Sequence, residues 1–401
     1  MKFYYFHLMP YRGLPDDFRD TYHSVWVDIP SKLFDPVLGG ELYNEYMDEL
    51  VEASTLGFDG ICVNEHHQNG YGLMPSPNLI ASALARQTKD VAIVLLGNSI
   101  ALYNPPVRVA EEVAMLDCIS GGRVISGFPV GTSMDTNYCY GVNPATLRDR
   151  YREAEELIVK AWTDPEVFAW NGTYNQLRYV NTWPKPIQKP HPPIWIPGGG
   201  SVETWDWVCE KNYMYAALAF SGYKRAQKTF DGFWDAVDRH GLSRNPYRGG
   251  FIQFVAIADN EAMAAEMYGP HLEWFYNKTQ HVYGGFIDAP GYRTGATIAA
   301  GFTSEHADVR VTDRKWSQLV EEGVVITGSP SQVTEQLEVL IKNLNVGALM
   351  FMSHFGSMSR ETGQYNTRRL ASEVLPNLRH HWEDWEDEWY PANAKRAANV
   401  E

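Results

Sequence analysis

The chain has 401 residues, with 34 Lys plus Arg against 49 Asp plus Glu, which gives a formal net charge of −15 at pH 7. No cluster of Lys or Arg could hold a phosphate backbone, so nucleic-acid binding and binding to an anionic membrane surface are both disfavoured. Apolar residues make up 44% of the chain, and the four cysteines match no zinc or redox spacing. We therefore predict a globular cytoplasmic protein that needs neither disulfides nor a structural metal.

Short β-rich runs alternate with segments of helical period along the whole chain. Most of the runs are continuously apolar, as is typical of strands buried on both faces. Eight candidate strands cover residues 2–9, 60–64, 91–97, 123–128, 193–197, 215–220, 251–258 and 347–353. Helices are predicted over 41–56, after Ser76-Pro77, from Val109 to Gly121, from Leu147 to Ile158, over 331–343 and over 361–379.

Eight alternating strand and helix units predict an α/β fold, a (β/α)8 TIM barrel. An open doubly wound sheet is the alternative, but the first predicted strand is not followed by a GxGxxG turn. We expect one domain over 1–401, with a helical tail at about 376–401.

Three long excursions predict insertions after strands 1, 4 and 7, at about 10–40, 164–192 and 281–314. The second contains an Asn171-Gly172 turn, which indicates a hairpin. The first and third follow strands on the face where a barrel keeps its site. For these two, a lid and a plain surface loop remain equally open.

The most promising chemical motif follows the second predicted strand. Asn64 is followed there by Glu65, His66 and His67. The carboxyl end of a barrel strand is where TIM-barrel enzymes place their sites, so we predict Glu65, His66 and His67 as catalytic groups. A metal site is the competing interpretation. Neighbouring residues of an extended chain point to opposite sides, which makes it hard for the two histidines to share one ion.

A glycine-rich turn follows the fifth predicted strand and precedes a helix. Gly199, Gly200 and Ser201 could bring backbone N–H groups together into an anion cup of the kind that phosphates occupy. An ordinary flexible turn with a Ser cap is the alternative.

Polar residues also follow the third and fourth predicted strands. Asn98 and Ser99 come directly after a buried apolar run, and Asn98 offers both a donor and an acceptor to a planar heterocycle. The loop that contains Gly131 and Thr132 leads to Tyr138. We predict all five residues as cofactor-binding, although simple turn chemistry explains the loop equally well.

At these residues the sequence resembles the bacterial luciferase-like flavin monooxygenases. The matching stretches are residues 56–67, 104–123, 148–162, 192–197 and 328–330. The resemblance implies a TIM barrel, assembled as a homodimer or homotetramer, that uses reduced FMN delivered by a separate flavin reductase.

The resemblance also assigns roles to single residues. It matches Glu65 to a rim carboxylate and His66 to a catalytic imidazole. It places Asn98 and Ser99 beside the flavin ring, with a non-proline cis peptide expected at Ser99 to Ile100, and Gly199 to Ser201 at the phosphate. The luciferases themselves have Cys-Arg where this chain has Pro129-Val130, which favours the non-luminescent branch.

The expected reaction is oxygenation of a small, mainly hydrophobic or aromatic organic substrate. In it, reduced FMN and O2 form a flavin C4a-hydroperoxide, which the excursions over the site shield from water. The alternatives are a deazaflavin-dependent oxidoreductase that transfers hydride on the same barrel, a flavin-binding barrel without turnover, and a hydrolase with a metal on the two histidines.

Overall fold

Eight parallel strands close into a ring in the computed structural model, which describes residues 1–218, 220–287, 289–295 and 314–395. Each strand of the ring pairs with the next, and the last returns to the first. In ring order the strands are β1 (Lys2–Phe6), β2 (Gly60–Val63), β3 (Ala92–Leu96), β4 (Val124–Gly127), β7 (Ile194–Gly198), β8 (Met214–Ala217), β9 (Gly249–Ile257) and β11 (Ala348–Met352). The chain thus forms the predicted TIM barrel, and all eight predicted strands are present.

Helices between the strands cover the ring. They are α1 (Phe18–Thr21), α2 (Pro36–Ala53), α3 (Pro77–Gln87), α4 (Val107–Ser120), α5 (Leu147–Thr163), α6 (Val202–Lys211), α7 (Tyr223–Arg239), α8 (Glu261–Trp274), α9 (Gly284–Ile287), α10 (Trp316–Glu321), α11 (Pro330–Leu344), α12 (Arg360–Arg369) and α13 (Leu375–Leu378). Helix α2 begins five residues before the predicted position because Asp35 accepts a hydrogen bond from the N–H of Val37 at 2.8 Å. Among the described helices, none combines the length and apolarity needed to cross a bilayer.

Alternating side chains of each strand enter two different cores. Tyr4, Phe6 and Val94 point into the barrel, whereas Phe3 and Tyr5 pack between the strands and the helices. Both sets are buried, which explains why the strand sequences are continuously apolar.

The strand β10 (Val325–Gly328) was missed by the sequence analysis. It pairs with Phe254 to Ile257 in the carboxyl half of β9, beyond the residues of β9 that pair with β8. The nine-residue β9 is long enough to serve three neighbours, so an additional strand fits beside it without opening the ring. The predicted hairpin is present as β5 (Phe168–Asn171) and β6 (Gln176–Val180).

The predicted helical tail is wrong over residues 379–395, which form turns and irregular structure after α13. Its aromatic side chains bind separate partners: the indole of Trp382 donates to the Val346 carbonyl at 2.9 Å, and Tyr390 donates to the Asp59 carbonyl at 2.8 Å. A straight helix could not reach these separate acceptors. Residues 396–401 of the predicted tail lie outside the described residues.

Candidate functional site

A cavity of about 840 Å³ lies at the carboxyl ends of the barrel strands. Phe6 and Leu96 form part of its floor, and the loops after β2, β4 and β7 form its sides. Its size and position are those of a ligand site in this type of fold.

On one side of the cavity Glu65 is buried and fully hydrogen-bonded. Its Oε1 lies 2.7 Å from Nε2 of His67, and its Oε2 accepts from the Ser99 N–H at 3.1 Å and from the Tyr103 hydroxyl at 3.0 Å. His67 turns away from the cavity, and its Nδ1 lies 3.2 Å from the Tyr140 hydroxyl. Glu65 thus connects the ends of β2 and β3.

His66 faces the cavity and pairs with a carboxylate that the sequence analysis did not assign. Its Nδ1 lies 3.2 Å from Oδ2 of Asp135, which also accepts from the Thr132 hydroxyl at 2.6 Å. Burial alone would raise the pKa of Asp135, but the hydrogen bonds from His66, Thr132 and the His67 N–H together lower it. Asp135 therefore stays ionised and fixes the imidazole, and Trp26 packs edge-on against that ring at 5.0 Å.

The part of the cavity wall that follows β7 has the donors of an anion site. Gly199, Ser201 and Thr204 line the wall at the amino end of the ten-residue helix α6, together with Arg148. The Nε–H of Arg148 is buried without a hydrogen-bond partner among the described residues. The Ser201 hydroxyl now donates to Glu203 at 2.8 Å, so it must rotate before it can bind an anion.

Two of the predicted insertions cover the cavity. Arg19, His23 and Trp26 come from the first, and His281 and Tyr283 come from the described part of the third. The two segments contact each other, since the Val25 N–H donates to the His281 carbonyl at 2.8 Å and the rings of His23 and Tyr283 lie 4.3 Å apart. Residues 296–313 of the third insertion lie outside the described residues.

Hydroxyl groups hold this cover to the loop after β4. Ser133 donates to the Phe286 carbonyl at 2.7 Å, and Tyr138 donates to the Gly285 carbonyl at 2.8 Å. Tyr292 donates to the Gly131 carbonyl. We call residues 281–287 and 289–295 the cover segment.

The structure brings most of the predicted site residues to one cavity. Glu65, His66, Ser99, Gly131, Thr132, Gly199 and Ser201 line it. His67, Asn98, Tyr138 and Gly200 do not: Asn98 is fully buried and donates to Asn78 at 3.1 Å, and Gly200 lies next to the wall with a φ of +108°. Their predicted roles stay predictions, and any effect of these four on a ligand passes through a neighbour.

The expected cis peptide at Ser99 to Ile100 is wrong, because the non-proline cis bond joins Leu96 to Gly97. At Gly97 the chain passes so close to β4 that a Cβ would lie 2.0 Å from the Gly127 carbonyl oxygen. The sequence signal for this close approach was the glycine itself.

A second cluster of titratable groups lies behind the strands, outside the cavity. His7, Glu49 and His354 are all buried and close enough together to resemble a metal site. However, the Met9 N–H donates to Nδ1 of His7 at 2.9 Å, so the hydrogen of that imidazole is on Nε2, the atom facing Glu49. A protonated nitrogen cannot bind a metal, and the cluster is a hydrogen-bond network.

Comparison with known proteins shows which family the chain belongs to. Residues 29–346 match the luciferase-like monooxygenases. The chain is 34% identical to an uncharacterised protein of Sinorhizobium fredii, over 85% of this chain and 94% of that protein. It is 24% identical to 2,5-diketocamphane 1,2-monooxygenase 2 of Pseudomonas putida, over 80% of this chain and 90% of that enzyme.

A solved structure has the same fold. It is the oxygenating constituent of 3,6-diketocamphane monooxygenase from Pseudomonas putida, a type II Baeyer–Villiger monooxygenase in complex with FMN. Its TM-score is 0.71 at 20% identity, and the match covers 94% of this chain and 98% of that one.

Proposed function

This chain belongs to the luciferase-like monooxygenase family and is a flavin-dependent monooxygenase, and from that premise we propose that it is the oxygenase component of a two-component system. It uses reduced FMN and O2 to oxygenate a small, mainly hydrophobic or aromatic organic substrate. The observation that carries this proposal is that one cavity is lined both by the His66–Asp135 pair and by an anion site at the amino end of α6.

The residues present fit FMN. The end formed by Arg148, Ser201 and Thr204 offers a guanidinium, two hydroxyls and a helix amino end to the phosphate. Within the part of the chain that the structure describes, the Nε–H of Arg148 and the buried Oδ1 of Asn64 in the same cavity wall both lack a hydrogen-bond partner. Buried polar atoms without partners are costly, so a ligand with complementary polar groups relieves both.

When bound, reduced FMN supplies the two electrons that activate O2. The residues of the chain supply proton transfer, orientation and shielding from water. His66 presents an imidazole that can accept or donate a proton, and Asp135 keeps that ring oriented. The cover segment and the first insertion exclude water from the reacting oxygen.

The cavity wall also indicates the class of substrate. Trp26, Tyr71 and Phe220 line the cavity. Trp26 and Tyr71 both pack against the ring of His66, and their own rings lie 4.6 Å apart and are tilted by 32°. Flat aromatic surfaces favour an apolar or aromatic molecule over a strongly hydrated one. The names of the diketocamphane monooxygenases to which the chain is similar indicate substrates of this kind.

An anaerobic titration tests the cofactor. Reduced FMN and a reduced deazaflavin are each added to the protein, and binding is followed by flavin fluorescence. We expect FMN to bind and, on addition of O2, to give an absorbance transient that differs from both reduced and oxidised free flavin. Preference for the deazaflavin would support the hydride-transfer alternative, and reoxidation identical to that of free flavin would support a barrel without turnover.

A His66→Ala variant tests the site. Because His66 follows β2 and is not one of the residues of the anion site, the variant should still bind FMN but consume O2 without forming product. Typical general acid–base contributions predict a loss of about 10²- to 10⁴-fold in coupled turnover. Coupled turnover at the wild-type rate would show that His66 has another role.

We further propose that a separate flavin reductase supplies FMN as a diffusing reduced cofactor. The similar Pseudomonas protein is the oxygenating constituent of its monooxygenase, which supports this proposal. Product should then form with any reductase that releases reduced FMN, even across a dialysis membrane. The cytoplasmic location and the homodimer or homotetramer stay predictions, and sedimentation velocity tests the latter.

A further inference from the structure

A continuous chain of hydrogen bonds joins the cavity wall to the protein surface. Oε1 of Glu65, in the wall, lies 2.7 Å from Nε2 of His67, and Nδ1 of His67 lies 3.2 Å from the Tyr140 hydroxyl. Glu65 and His67 are only 5% and 6% exposed, whereas Tyr140 is 53% exposed. This series of hydrogen bonds therefore begins at a group in contact with solvent and ends at a group in the cavity wall.

In each of these two hydrogen bonds, the donor is the group nearer the solvent and the acceptor is the group nearer the cavity. An ionised carboxylate can only accept, so the hydrogen that joins Glu65 and His67 is on Nε2 of His67. The Nδ1 of a neutral imidazole with that tautomer is an acceptor, so the Tyr140 hydroxyl donates to it. Each group thus donates to the next one toward the cavity, which is the order that inward proton transfer needs.

The inner end is held in place. Oε2 of Glu65 accepts from the backbone N–H of Ser99 and from the Tyr103 hydroxyl, and the ring of His67 packs against that of Tyr140 at 4.6 Å. The carboxylate and the imidazole therefore have little freedom to rotate away. Such a pre-aligned chain transfers protons without large movements of the side chains.

We propose that Tyr140, His67 and Glu65 form a relay that brings a proton from bulk solvent into the covered cavity. This inference rests on the proposed function. The overall oxygenation converts the reduced FMN monoanion, O2, substrate and one proton into oxidised FMN, oxygenated substrate and water. The four electrons that O2 accepts come in pairs from FMN and from the substrate, so one proton must enter from outside.

Each step of the relay conserves protons. The O–H bond of Tyr140 breaks as a bond from hydrogen to Nδ1 of His67 forms, and the Nε2–H bond of His67 breaks as an O–H bond forms on Glu65. A proton from bulk solvent restores the Tyr140 hydroxyl at the exposed end. His67 is left with its hydrogen on Nδ1, and exchange with solvent between turnovers restores the hydrogen on Nε2. Protonated Glu65 then donates to the reacting oxygen in the cavity and returns to its ionised form.

The experiment must separate this relay from a structural role. His67→Gln is informative because the Gln amide can still donate to Glu65 but cannot carry a proton. Tyr140→Phe removes only the hydroxyl. Tyr179→Phe is the matched control, since Tyr179 lies 75% exposed on β6 and outside the hydrogen-bond chain. Melting temperatures of all three variants show whether they fold.

The first readout needs no cofactor. Nitrogen-15 NMR of the free protein should show His67 with hydrogen on Nε2 and not on Nδ1. Exchange of that hydrogen with D2O should become at least about tenfold slower in Tyr140→Phe and stay unchanged in Tyr179→Phe. The groups that face His67 and must be considered when the pH is chosen are Glu65, Tyr103, Asp135, Cys139 and Tyr140.

The second readout is single-turnover reoxidation of bound reduced FMN by O2. His67→Gln should slow it by about 10²-fold and change the solvent deuterium isotope effect, and added imidazole should restore the rate in His67→Ala. Wild-type hydrogen exchange and reoxidation in both His67→Gln and Tyr140→Phe would overturn the relay. Failure of the wild-type protein to bind FMN would instead overturn the proposed function.

Discussion

Replacing Glu49 by Gln should strongly destabilise the protein without changing the cavity. Its Oε2 accepts from Nδ1 of His354 at 2.8 Å, from Nε2 of His7 at 3.2 Å and from the Tyr5 hydroxyl at 3.2 Å. All four side chains are buried. Gln keeps the volume of the side chain but removes the negative charge that these three donors share, and a hydrogen bond to a buried charged group is worth about 1.5–3 kcal/mol.

The size of this effect depends on pH in a definite direction. Burial alone would raise the pKa of Glu49, but His354 and His7 lower it far below its ordinary value, whereas burial lowers the pKa of His7. A depressed carboxyl pKa gives stability that is present above the unfolded value of about 4.3 and is lost as the pH falls through the folded value. The lowered pKa of His7 acts in the same direction below about 6.5.

Urea unfolding followed by circular dichroism measures both effects. At pH 7 we expect the urea midpoint of Glu49→Gln to be lower than that of the wild type. In acid, the difference between the two midpoints should become smaller. Glu52→Gln is the matched control one turn along α2, since Glu52 forms a partly exposed pair with Arg368 and its loss should cost no more than about 1 kcal/mol. Equal midpoints for Glu49→Gln and Glu52→Gln, or a deficit that does not change with pH, would refute this reasoning.

Three further predictions concern the cavity and its floor. Arg148→Gln should weaken FMN binding by about 10- to 150-fold, the equivalent of one charge-assisted hydrogen bond worth roughly 1.5–3 kcal/mol, and fluorescence titration measures this. Asp135→Asn should change FMN affinity by no more than about twofold but lower the amount of product formed per reduced FMN by about 10²-fold, because the His66 ring loses its charged partner. An unchanged yield of product per reduced FMN would contradict the role of Asp135 in orienting His66. Gly97→Ala should cost about 3 kcal/mol or more in thermal unfolding, since the added Cβ meets the Gly127 backbone, whereas Gly40→Ala, which meets nothing within 4 Å inside α2, should be neutral or stabilising.

Much of the fold was predictable because the strands of the ring can be recognised from short stretches of sequence. Each ring strand is a buried apolar run, and helix stops such as Gly121, with a φ of +74°, carry a residue suited to the left-handed region. Strand β10 has only four residues, too few to be distinguished from any short apolar run. The tail was misread because its aromatic residues bind acceptors far away in the sequence, such as Val346.

The site was predictable only where its residues adjoin a strand. Glu65 and His66 follow β2 directly, so the barrel prediction placed them at the rim. Asp135 lies 69 residues after His66 in a polar loop, where an aspartate is unremarkable. Arg148 looked like one of several charged residues at a helix start. Such pairs depend on tertiary distance, and one sequence contains no direct signal for it.

The fastening of the cover segment has an evolutionary consequence. Ser133 and Tyr138 donate to carbonyl oxygens of residues 286 and 285, which any amino acid would supply. Side chains such as Tyr283 and Ile287 can therefore be exchanged without loosening these two attachments. A lineage could retune which molecules it accepts by substitutions in this stretch alone, with the barrel and its oxidative chemistry left untouched.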